Sequence, residues 1–233
     1  APFAGRRCGD HGVLWNRAWS VDEAGESFAV LGVALSEWRL AVRRRVRLSE
    51  EGTIDVESAV ENRGDSPFAA LWATHPLFAL EDGSRLAFPA GTTLRFSNRI
   101  GPGSHWAPGE GAMDAGALPP FREVAPRGAA SYAVKYMTDA LPEPWAALEH
   151  PDGARLEMRF PQGDFDGFAV WANQRQWAGS GENAPYLNAG LEPMRGRRDA
   201  LADAVGTGAP HLSLAPGGVA RFRLQVRIRP GHG

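Results

Sequence analysis

Apolar and polar residues alternate with a period of two along several stretches of this chain. Over residues 39–48 the even positions Leu40, Val42, Val46 and Leu48 are apolar, while Arg43, Arg45 and Arg47 occupy the odd ones. That is the pattern of a strand with one buried face. After a turn at Ser49, Glu50, Glu51 and Gly52, residues 53–62 put Ile54, Val56 and Val60 on one face and Asp55, Glu57 and Glu61 on the other. A hairpin of the two would set an arginine row against a carboxylate row and so help to define register. The structural reading of these charges is a solvated sheet face.

Further strands are expected at Phe68 to Thr74, Leu86 to Phe88, Thr93 to Phe96, Arg155 to Phe160 and Gly167 to Ala172, the last fully buried. Residues 219–229 alternate again, with Phe222, Leu224, Val226 and Ile228 inward. One short amphipathic helix is expected from Arg198 to Val205. Residues 98–126, rich in Gly and Pro, read as a long loop of the kind that is functional or mobile. No repeat and no linker divides the chain, so residues 1–233 are expected to form a single all-β domain, a large antiparallel β-sandwich. With 28 Gly and 18 Pro among 233 residues, long helices have little room.

The formal net charge of -2 gives no basic excess for a polyanion, so nucleic acid is not an expected partner. No apolar run approaches the roughly 18 residues of a membrane span, so no membrane partner is expected either. The single cysteine, Cys8, excludes an internal disulfide and a Cys-based metal site. The six histidines are scattered without ligand spacing, so no metal is expected. The N-terminus carries neither Met nor a signal-peptide pattern. The chain is read as cytoplasmic, with a start that is processed, trimmed or incomplete.

A few residues break the pattern in ways that bear on chemistry. Arg44 has the parity of the apolar residues and should point inward, where it needs an oxygen partner. It is either structural or part of a site. His75 ends an apolar run and is followed by Pro76. It is either a hydrogen-bonded core histidine or a group that trades protons near neutral pH. Glu192 is expected at the end of a strand over 186–191, just before Pro193. Half-buried there, its carboxyl should be raised by desolvation, as suits a general base; otherwise it is a surface glutamate. Trp171, Trp177 and Tyr186, with Asn173 and Gln174 between, suit a sugar ring or a tryptophan-rich core. His11 and Trp15 repeat this mixture near the start. Lys135 lies opposite in parity to Val134 and Tyr136.

Two segments carry a resemblance. Residues 74–78, Thr-His-Pro-Leu-Phe, resemble the His-Pro-Tyr-Phe signature of aldose 1-epimerases. Residues 187–193, Leu-Asn-Ala-Gly-Leu-Glu-Pro, resemble the same family's late Gly-Leu-Glu-Pro segment. In family order, Asp10-His11-Gly12 resembles an early His-Gly segment. Val170-Trp171-Ala172-Asn173 with Gln176-Trp177 resembles a Trp-x-Asn…Gly-Trp pattern. The stretch from Arg198 and Asp199 resembles a Pro-Asp-Ser-Leu turn.

The resemblance implies a galactose mutarotase-like supersandwich, here short of some N-terminal strands. It implies interconversion of the α and β anomers of a hexose or related sugar, with no cofactor. Glu192 would be the general base and His75 the general acid at the ring oxygen. His11, Trp15, Arg44, Lys135, Trp171, Asn173, Trp177 and Tyr186 would bind the sugar. The family's second, mid-chain histidine has no match: His105 and His150 stand in other contexts, and Lys135 or Asp139 occupies that region. That departure favours an alternative, a non-catalytic carbohydrate-binding or regulatory protein on the same fold. Where hexose-6-phosphate relatives place an arginine, this chain has Val13-Leu14-Trp15, which points away from a phosphorylated sugar, although Arg17 and Arg44 keep one open.

Overall fold

The computed structural model describes residues 9, 11–49, 52–101, 107–108 (backbone), 111–178 and 185–232. Cys8, Asp10, Glu50, Glu51 and His105 lie outside them. Among the described residues there are eighteen strands. They run β1 (Ser20–Ala24), β2 (Phe28–Leu35), β3 (Leu40–Leu48), β4 (Thr53–Asn62), β5 (Phe68–Ala70) and β6 (Trp72–Ala73). Next come β7 (Leu77–Ala79), β8 (Arg85–Ala87), β9 (Thr93–Ile100), β10 (Ala107–Pro108), β11 (Ala112–Asp114) and β12 (Tyr132–Thr138). The last six are β13 (Trp145–Glu149), β14 (Arg155–Arg159), β15 (Gly167–Gln174), β16 (Leu187–Arg195), β17 (Leu212–Leu214) and β18 (Val219–Arg229). One α-helix, α1 (Leu201–Thr207), begins three residues later than expected.

The strands form two large antiparallel sheets. The first has the order β1-β2-β3-β4-β18-β14-β13-β8; the second runs β10-β9-β12-β15-β16-β6, with β11 on β9 and β7 on β16. Their inner faces meet in one core. Val42, Val60, Leu148, Met158, Phe222 and Leu224 come from the first sheet. Leu94, Val134, Tyr136, Phe168, Val170, Leu187, Ala189 and Leu191 come from the second. Each set has the period-two spacing that aims alternate side chains at one face. This is the expected all-β sandwich.

The hairpin of β3 and β4 forms as the alternation predicts. Gly52, at φ 69°, turns the chain, and its N–H donates to the Ser49 carbonyl. Arg45 faces Glu57 and Arg47 faces Asp55, but Arg43 faces Ala59, so the two charged rows match at two places only. Leu48 and Ile228, expected inward, are exposed. They stand at the end of the first sheet, beyond the core. The run from Phe68 to Thr74 is not one strand: β5 pairs with β17, and β6 pairs with β16. The break at Leu71 is where the chain changes sheets. Residues 98–126 are less irregular than expected, since β9 reaches Ile100 and β11 pairs with it.

Asn62 ties the end of β4 to the entry of β18. Its side-chain amide is buried, donates to the carbonyls of Ser66 and Leu214 at 2.9 and 3.1 Å, and accepts from Gly64 N–H at 2.9 Å. Replacing it with Ala strands these backbone groups in the interior, at about 1–3 kcal/mol or more. Urea unfolding of Asn62→Ala is expected to show a loss of that size with an unchanged m-value.

Candidate functional site

The second sheet has two faces with different work. On β16, Leu187, Ala189 and Leu191 enter the core, so Asn188, Gly190 and Glu192 lie on the outer face. On β15 the outer residues are Ala169, Trp171 and Asn173, and on β12 they are Ala133, Lys135 and Met137. Antiparallel register then places Glu192 beside Ala169 and Met137, and Gly190 beside Trp171 and Lys135.

Glu192 is not at a strand end, as the following proline suggested, since β16 continues to Arg195. Pro193 is tolerated because the ladder asks only for its carbonyl, which accepts from Thr74 N–H at 3.0 Å. Glu192 is only 7% exposed. Met137, Ala169 and Met194 form a small apolar cluster on this face, in register with it or two residues on. Burial accordingly pushes its carboxyl from an ordinary 4.5 up to about 7; the Lys135 ammonium opposes that rise and the Asp199 carboxylate adds to it.

His75 lies between β6 and β7, in a break where the chain leaves the sheet edge. Its Nδ1 is 3.3 Å from Glu192 Oε1. His11 stacks on the His75 ring with centroids 4.8 Å apart, and Trp15 stacks on His11 at 4.8 Å and tilts over His75 at 5.6 Å. The segment near the N-terminus thus packs on the histidine that touches the buried carboxylate.

The space over Gly190 is taken by its neighbours. A Cβ there would sit 2.7 Å from Glu192 Oε1, closer than atoms pack, 3.1 Å from Trp171 Cβ and 3.2 Å from Leu77 Cδ2. Only glycine leaves the carboxylate in place. The Trp171 indole turns the other way and donates through Nε1 to Asn188 Oδ1 at 3.2 Å. Across the sheet, Lys135 Nζ contacts Asp199 Oδ1 at 2.5 Å. Asp199 Oδ2 in turn accepts from the Ser97 hydroxyl and from Asn98 Nδ2.

Of the residues singled out from sequence, Glu192, His75, His11 and Trp15 gather in contact, while Trp171 and Lys135 share their sheet face. The others lie elsewhere. Asn173 is fully buried: its amide donates to the Trp177 carbonyl at 2.8 Å and accepts from the N–H groups of Gln176 and Trp177. It builds that turn and has no free edge for a ligand. Trp177 and Tyr186 flank the far end of the β15–β16 hairpin, where Tyr186 N–H donates to the Trp177 carbonyl. Six residues of strand put Tyr186 about 20 Å from Glu192. Arg44 sits on the inward side of the first sheet, donates to Ser58 Oγ at 3.1 Å and covers the Trp19 ring at 5.2 Å; burial lowers its pKa. Asp199, Ser97, Asn98, Asn188 and Gly190 were not singled out as site residues. Only Gly190, a glycine within a strand pattern, carried a local signal of close approach.

This chain belongs to the aldose 1-epimerase family, whose model matches residues 6–225. Among curated proteins none matches it in sequence. The fold is that of a proposed aldose 1-epimerase of Escherichia coli K12, at 17% identity and TM-score 0.67, covering 92% of this chain and 69% of that one. A second proposed aldose 1-epimerase, from Klebsiella pneumoniae, superposes with TM-score 0.63 at 13% identity, covering 88% of this chain and 50% of that one. A galactose mutarotase-like protein of Lactobacillus casei gives TM-score 0.61 at 17% identity, covering 95% and 76%. The chain therefore spans half of the Klebsiella protein and between two thirds and about three quarters of the other two.

The raised carboxyl of Glu192 has a cost. The folded state prefers the neutral acid, whereas the unfolded chain ionises near 4.5. Stability is therefore full below pH 4.5, falls as pH rises toward 7, and above 7 carries the whole penalty, at most roughly 3 kcal/mol. Glu192→Gln, neutral at every pH, is expected to match wild type at pH 4 and to exceed it at pH 8 in urea titrations. An equal difference at both pH values would contradict the burial argument.

Proposed function

We propose that this protein is an aldose 1-epimerase that interconverts the α and β anomers of a free sugar on the outer face of its second sheet. The observation that supports this most is the desolvated Glu192 carboxylate with His75 Nδ1 3.3 Å away, in a place that the missing side chain of Gly190 leaves to it.

The reaction moves two protons at one carbon. Glu192 takes the proton of the anomeric hydroxyl, the bond from the anomeric carbon to the ring oxygen breaks, and an aldehyde forms. The ring oxygen takes a proton from His75. Rotation about the bond between C1 and C2 presents the other face, and the steps reverse to close the ring. The two oxygens share one carbon, so a base and an acid that touch each other can reach both. A carboxyl near 7 is well matched to this work, because a base is most effective when its pKa lies close to the working pH. No cofactor takes part in this scheme.

Polarimetry of freshly dissolved α-glucose and α-galactose tests the reading. Wild type is expected to accelerate mutarotation of at least one aldose, with a bell-shaped kcat/KM that rises through about pH 7 as Glu192 ionises and falls once His75 has lost the proton it gives to the ring oxygen. Glu192→Gln is expected to lose about 10²–10⁴-fold. If no aldose in a broad panel is accelerated, the reading is wrong. Binding of a sugar without acceleration would instead indicate a carbohydrate-binding protein on this fold.

A further inference from the structure

Lys135 shares the sheet face of Glu192, two strands away, and Asp199 reaches it from the loop after β16. Lys135 is in register with Trp171 and, one strand further, with Gly190. Glu192 lies two residues beyond Gly190 on the same face. Two strand spacings across and two residues along put the Cα atoms of Lys135 and Glu192 about 12 Å apart. Both side chains rise from the same side of the sheet, with Ala169 and Gly190 between them. Trp171 is held toward Asn188 by its hydrogen bond. A pyranose with its anomeric carbon at Glu192 would have its far end toward Lys135.

The pair is braced from behind and open in front. Ser97 and Asn98 on β9 hold Asp199 Oδ2, and Oδ1 faces Lys135 at 2.5 Å. The two side chains remain 30% and 35% exposed. An ammonium that spends one proton on a carboxylate keeps two donors, and the carboxylate keeps lone pairs. Donor and acceptor stand side by side. One hydroxyl can accept from Nζ while its neighbour donates to Oδ1. An anionic group, by contrast, would meet a lysine whose charge Asp199 already cancels.

We propose that Lys135 and Asp199 form a recognition pair that grips two adjacent hydroxyls at the end of the ring remote from the anomeric carbon, and that the substrate is therefore a neutral aldose with a vicinal gauche diol at C3 and C4. This rests on the mutarotase reading for the placement of the anomeric carbon. The pair transfers no proton itself, but losing either charge also moves the Glu192 carboxyl, so kcat is compared at the optimum of each variant's own pH profile; there the loss raises KM and spares kcat.

The test crosses substrates with variants. Wild type, Lys135→Met and Asp199→Asn are assayed by polarimetry on D-glucose, its 2-, 3- and 4-deoxy analogues and glucose 6-phosphate. In wild type, removing the C3 or C4 hydroxyl is expected to cost roughly tenfold to a hundredfold in kcat/KM, carried by KM. The 2-deoxy sugar should behave like the parent, and the phosphate should gain nothing. Each variant is expected to lose a similar factor on glucose and nothing more on the 3- or 4-deoxy sugar. Lys135→Arg, which keeps the charge and protects against misfolding of the Met variant, should fall between. Deoxy sugars that react like glucose in wild type overturn the proposal. So does a Lys135→Met variant that loses kcat at its own pH optimum with KM unchanged, since that would make Lys135 a proton donor. If wild type accelerates no aldose, the mutarotase reading fails by itself. Calorimetric titration of the same sugars then decides the pair: weaker binding of the 3- and 4-deoxy sugars supports it, and equal or absent binding overturns it.

Discussion

The site depends on one unfavourable placement, a carboxylate held out of water on the outer face of a sheet. Outer faces are usually where charged side chains meet solvent. Here Met137, Ala169 and Met194 form an apolar patch beside Glu192, and the carboxyl responds by rising to about 7. The ring of His75 closes another side, itself covered by His11 and Trp15. The fold bears this cost because the rest of the sheet is over-determined. Phe168, Val170 and Leu191, on the opposite faces of β15 and β16, are fully buried in the sandwich core. The same strands thus supply stability on one side and carry a destabilising, desolvated carboxyl on the other.

Period-two geometry links the two roles. Shifting β16 by one residue would bring Glu192 into the core and turn Leu191 toward the site. The long ladders on both sides of β15 exclude that slip, since β12 and β16 each pair with most of its length. Gly190 adds a local condition, because only an absent side chain leaves the carboxylate in position. The site is therefore assembled from the register of three central strands, with β9 behind them bracing Asp199. Loops contribute His75 and Asp199, whose positions follow from where the strands end.

What the amino-acid sequence made legible follows the same division. Alternation is a local property, and it located β3, β4 and β18 and the faces of most of their residues. The flanking residues of His75 and Glu192 resembled a family whose model does match this chain. Local reading failed where a neighbour in space decides. Pro193 looked like a strand end, because sequence does not reveal that the ladder needs only its carbonyl. Trp171, Trp177 and Tyr186 looked like one aromatic cluster, yet strand rise separates them by several residues of extended chain. Asn173 looked like a ligand amide, and its turn consumes both of its polar ends. Asp199 is 64 residues from Lys135, and nothing at that separation signals an ion pair.

The ion pair also bears on how high the Glu192 carboxyl is raised. Taken alone, the Lys135 ammonium would favour the ionised carboxylate and pull its pKa down toward the ordinary range. Asp199 acts in the opposite direction on the same carboxyl, so the nearby cation is partly offset and desolvation remains the largest influence. Loss of the lysine would move the carboxyl up, and loss of the aspartate would move it down. Keeping both places polar groups on this sheet face with little net charge beside Glu192. A carboxyl raised by an apolar patch and a polar pair on the same sheet are compatible only if that pair is close to electrically neutral.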